Sequence, residues 1–161
     1  MVLDNYPGSG SYNADPEFTN YYSALNKYIA QNKPFARIVQ HEDEDSSVIN
    51  VDEIKTPIVR KHFDLLLERN KDFTSHARLM GSKIFMPKVS FIIIDDKYLV
   101  WEMPFIDPKN IFHFSHDLFI ADSTGKVVDE FVNMFETIQK ESVKIDEFTS
   151  SLNHAGGEVH S

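Results

Sequence analysis

The run Val89-Ser90-Phe91-Ile92-Ile93-Ile94 constrains the fold more than any other stretch of the chain. It is nearly all apolar and rich in β-branched side chains, so it predicts a strand buried on both faces of a sheet. Asp95-Asp96-Lys97 then breaks the run with a turn, and Tyr98-Leu99-Val100-Trp101-Glu102-Met103 resumes as a second strand before Pro104. The segment from Lys88 to Pro104 therefore reads as the central strand pair of the fold.

A strand buried on both faces needs helices to cover it, and the flanking sequence supplies them. Asp15-Pro16-Glu17 carries a cap residue, a proline for the first helical position and a carboxylate for the positive helix end. Phe18, Tyr21, Tyr22, Leu25, Tyr28 and Ile29 then recur at helical spacing. Asn32-Lys33-Pro34 ends that helix and Phe35 to Val39 has the composition of a short buried strand. Thr56-Pro57 opens a second helix with Ile58, His62, Leu65 and Leu66 on one side, where His62 reads as a core histidine. A strand is expected around Ala77-Arg78-Leu79-Met80, a loop from Ile106 to Ser115, and a further short strand over Leu118 to Ala121. The last helix buries Val127, Val128, Phe131, Met134, Phe135 and Ile138.

This order of elements predicts an α/β fold, with α+β as the alternative, built on a mixed β-sheet flanked by helices. A chain of 161 residues is long enough for one self-sufficient core. Residues 1–15 read as a turn-rich segment in which Met1 to Leu3 form an edge strand at most, 16–142 as a single α/β domain, and 143–161 as a mobile C-terminal tail.

The formal net charge of −9 disfavours nucleic acid and anionic lipid as partners. Without cysteine there is no disulfide framework, thiolate metal site or cysteine nucleophile, and no cofactor is expected. No apolar run approaches the roughly 18 residues that span a bilayer, and no signal-peptide pattern opens the chain, so a cytoplasmic protein without membrane insertion is expected.

The hairpin followed by a loop, a short strand and the helix Val127-Val128-Asp129-Glu130-Phe131-Val132-Asn133-Met134-Phe135 resembles the later part of a phospholipase D-like half-domain, from Lys88 to Gln139. Active members of that family carry His-x-Lys-x4-Asp, with a histidine nucleophile, a phosphate-neutralising lysine and an orienting aspartate. The resemblance puts Lys88 in the histidine position, Ser90 in the lysine position, Asp95 in the aspartate position and Glu102 where the family has glycine. A protonated lysine cannot replace an imidazole, Ser90 removes the cation, and Glu102 opposes an anionic substrate. The resemblance thus implies an emptied active site, and a single half-domain that pairs with a copy of itself.

His113, His116 and Asp117 form the one compact cluster of nitrogen and oxygen ligands in the sequence, a candidate for metal or general-base chemistry. Trp101 is a candidate interaction residue, as is the acidic run Glu42-Asp43-Glu44-Asp45, which suits a basic protein surface. Three functions follow as expectations: a homodimeric, non-catalytic interaction or sensor domain; a divergent phosphodiesterase or metal-assisted hydrolase using His113, His116 and Asp117; and an acidic regulatory partner of a larger assembly.

Overall fold

A computed structural model describes residues 1–5, 16–40, 48–49, 51–82, 89–106 and 112–147. Strand β1 (Val2–Asn5), helix α1 (Pro16–Ala30), strand β2 (Phe35–Gln40), helix α2 (Pro57–Lys71) and strand β4 (Ala77–Ser82) form a βαβαβ unit, with the short strand β3 (Val48–Ile49) between β2 and α2. In that unit β1 pairs parallel to β2, and β2 parallel to β4. A meander follows, made of β5 (Ser90–Ile94), β6 (Tyr98–Ile106) and β7 (Phe112–Ala121), and then helix α3 (Lys126–Lys140), β8 (Ser142–Lys144) and β9 (Asp146–Glu147). Among the described residues the main sheet has seven strands in the order β7-β6-β5-β1-β2-β4-β8, and β3 pairs with β9 separately. The protein is an α/β fold with a mixed, helix-flanked sheet.

Alternation along the strands splits the core into two layers. Val2, Phe35, Val39, Ala77 and Leu79 pack with Tyr22 and Ile29 of α1 and with Val59, Phe63, Leu66 and Leu67 of α2. Leu3, Ile38, Met80, Phe91, Ile93 and Leu99 pack with Val128, Phe135 and Ile138 of α3 on the opposite face. Asn70 ties α2 to β4 and to the segment between β8 and β9: its side chain donates to the carbonyls of Leu79 at 2.8 Å and Ile145 at 3.3 Å and accepts from the Leu79 N–H at 2.9 Å.

Three segments differ from the sequence expectation. Met1 to Leu3, expected at the edge at most, contribute to an inner strand between β5 and β2, because Val2 and Leu3 each bury in a different layer. The segment expected as a loop from Ile106 to Ser115 holds the start of β7, a ten-residue strand rather than a short one. Its register against β6 shifts between Met103 and Pro104, and this irregularity, with proline beside it, masks the strand pattern. Residues 142–147, at the start of the expected tail, form β8 and β9 with Ile145 buried between them.

Candidate functional site

Of the degenerate motif positions, Ser90, Asp95 and Glu102 lie among the described residues. Ser90 opens β5, is 2% exposed, and stands opposite Glu102 of β6. Asp95 lies in the turn beyond the other end of β5, and five residues at about 3.3 Å each separate it from Ser90 by ~16 Å. Glu102 is also in register with Asp117 of β7. Lys88 lies outside the described residues, as does the acidic run Glu42 to Asp45.

The ligand cluster expected on a loop lies on a strand. In β7, His113 stands opposite Phe105, His116 opposite Met103 and Asp117 opposite Glu102. The side chains of His113, His116 and Asp117 lie outside the described residues; among those that are described, no group of three or more His, Asp or Glu is placed to hold a metal ion. Trp101 is half-buried, with its ring against Phe131 of α3 at 5.7 Å, so it serves the core between helix and sheet.

A buried polar cluster joins α1, α2 and β2. Arg37, 2% exposed, points into the layer of α1 and α2, where Nη1 meets His62 Nε2 at 2.7 Å and Nη2 donates to the Tyr22 hydroxyl at 3.4 Å. The guanidinium lies 5.2 Å from the Phe63 ring centre and 5.7 Å from that of Tyr22, a cation over two aromatic faces. On its other side His62 Nδ1 meets Asn26 Oδ1 at 2.8 Å. Burial first, and the Arg37 charge second, hold the His62 pKa well below the usual histidine value. The sequence signal for this cluster is an arginine with the same strand parity as Phe35 and Val39, facing a histidine on the apolar side of α2.

The meander carries the exposed apolar surface. Beyond the helices, on the α1/α2 side of the sheet, Ile94 of β5, Tyr98 of β6 and Phe119 of β7 lie uncovered, Phe119 at 61% exposure. Tyr98 and Phe119 stack at 5.8 Å with an 18° interplanar angle. Leu118, opposite Trp101 and so on the α3 face, is 42% exposed. The edge strand β7 therefore shows apolar side chains on both faces. At the other edge β8 is three residues long and bears the exposed Lys144, features that discourage strand addition. No family model, curated protein or solved structure matches the chain. No helix among the described residues is long and apolar enough to cross a membrane.

Proposed function

We propose that the chain is a non-catalytic interaction domain of phospholipase D-like type that pairs with a second copy of itself along β7. The observation that carries this reading is the exposure of Phe119 and Leu118 on opposite faces of a ten-residue edge strand. Among the described residues no strand pairs with the outer side of β7, and an edge of this kind offers backbone groups together with apolar side chains to another strand. A two-fold axis perpendicular to the sheet makes the new strand pair antiparallel and leaves each face on its own side. The strip of Ile94, Tyr98 and Phe119 then continues into that of the partner, and the interface is self-complementary. Lys88 and Ser90 standing where the resembled motif has histidine and lysine favour binding over phosphodiester chemistry.

Each copy carries a net charge of −9, so the copies repel at low ionic strength and screening strengthens their association. Light scattering coupled to size exclusion at low and high salt is expected to give a dimer whose population rises with salt. Phe119→Asp, which places a carboxylate in the strip, is expected to give a monomer with unchanged far-UV circular dichroism. A wild-type protein that stays monomeric at high concentration and high salt overturns the reading.

A further inference from the structure

We propose that Asn26, His62 and Arg37 form a proton-released latch that holds α1 against α2 and the sheet. Arg37 has only N–H donors, so its 2.7 Å contact requires His62 Nε2 to accept. The proton of the neutral ring is then on Nδ1, which donates to Asn26 Oδ1 at 2.8 Å. Both bonds hold together only in the neutral imidazole. Protonation at Nε2 sets one N–H against another at that distance and adds a positive charge beside the Arg37 guanidinium.

The groups facing the ring come from all three elements. Arg37 and Phe35 belong to β2, Asn26 and Tyr22 to α1, and Phe63 to α2, with ring centres 5.2 Å away for Tyr22, 6.0 Å for Phe35 and 5.7 Å for Phe63. Of these groups Arg37 bears the charge, and it opposes a second one. Asn26 Nδ2 is buried with no hydrogen-bond partner among the described residues, so the polar hold of Asn26 runs through His62. Among the described residues the α3-side core contains no α1 residue, so α1 can leave without dismantling it. Its departure uncovers Tyr22, Leu25 and Ile29, an apolar surface separate from the β7 edge.

The sign of the pH effect follows from the lowered pKa. Where the latch is open His62 returns toward its ordinary value near 6.5, so the open form binds the proton more readily than the closed form. The hold on α1 is full above that value, weakens as pH falls through it, and levels off below the closed-state pKa.

Hydrogen exchange on the full chain, corrected for intrinsic rates, tests this between about pH 7 and pH 4.5. Residues 16–30 of α1 are expected to lose about tenfold or more protection on acidification while residues 90–102 of β5 and β6 keep theirs. His62→Gln, whose amide can accept from Arg37 and donate to Asn26 without titrating, is expected to remove the step; His76→Gln, at an exposed site, leaves it in place. Equal loss of protection in α1 and in β5–β6, or an unchanged step in His62→Gln, overturns the proposal. The wild type provides a check that needs no variant: the His62 ring resonance of the closed form is expected to stay neutral through pH 6.5 while α1 protection begins to fall, and a closed-form ring that titrates at the ordinary histidine value overturns the latch.

Discussion

Asp95 and Asp96 both adopt φ of 51°, a left-handed backbone that costs residues with a Cβ. They are the central pair of the turn closed by the Lys97 N–H on the Ile94 carbonyl at 3.1 Å, and the left-handed pair suits the twist of the flanking strands. Glycine is the preferred second residue of such a pair because it enters this region without steric penalty. Asp96→Gly also removes one of two like charges on adjacent residues. It is expected to stabilise the protein by about 0.5–1 kcal/mol, read as a higher urea midpoint with an unchanged slope. A lower midpoint would mean that the Asp96 side chain contributes more than its backbone strain costs. The turn is legible in the sequence because Asp-Asp-Lys interrupts two apolar runs. Arg37 is not, since an arginine inside a short apolar strand reads as an edge or surface residue until the histidine that accepts from it is in place.

Helix α3 shows how a cap can sit outside the usual position. Its N-cap residue is Gly125, at φ 76°, which offers no side chain, and Asp122 reaches across the turn instead. Asp122 Oδ2 accepts from the N–H groups of Val127 at 2.6 Å and Val128 at 3.1 Å, while Oδ1 accepts from the Thr124 N–H and hydroxyl. These bonds, led by the Thr124 hydroxyl, hold the Asp122 carboxyl at about 2. A depressed carboxyl pKa contributes stability above its unfolded value, and that contribution is lost as pH falls toward the folded value. Asp122→Ala is expected to lower the thermal midpoint at neutral pH, with the gap from wild type constant down to about pH 4 and narrowing below it. A gap that does not change with pH would assign the effect to packing rather than to the carboxylate. The three helices and the β5–β6 hairpin are legible because fifteen-residue amphipathic stretches and an uninterrupted apolar run carry long periodic signals. Strands β1 and β8 are too short to establish a period, and β7 mixes histidine, serine and phenylalanine across a register shift. The candidate surface is hidden for the same reason: Leu118 and Phe119 read as part of a short strand of unassigned position until β7 is seen at the sheet edge.

The sheet as a whole is two pieces joined at one seam. The parallel strands β1, β2 and β4 form one piece and the β5–β7 meander the other, and their ladder connection is β1 against β5, with Val2 opposite Ile92 and Leu3 opposite Phe91. The Ile93 N–H donates to the Met1 carbonyl at 2.8 Å and extends the seam. Leu3 is fully buried at that junction, among Ile38 of β2, Phe91 of β5 and Phe135 of α3. The four-residue β1 thus supplies the ladder link between the two pieces, and the α3-side core packs across both. Leu3→Ala removes buried volume where both pieces and α3 meet, and is expected to cost about 2–5 kcal/mol, a large part of the roughly 5–15 kcal/mol typical of a domain. The chain has one tryptophan, Trp101, and it lies in the meander against α3, so its fluorescence follows that piece while far-UV circular dichroism follows the whole. In urea, Leu3→Ala is expected to lower both midpoints together, because a seam this central transmits the loss to each side. If the Trp101 transition kept its wild-type midpoint while the dichroism transition fell, the meander and α3 would be folding without β1, and the seam would not be what couples the two pieces.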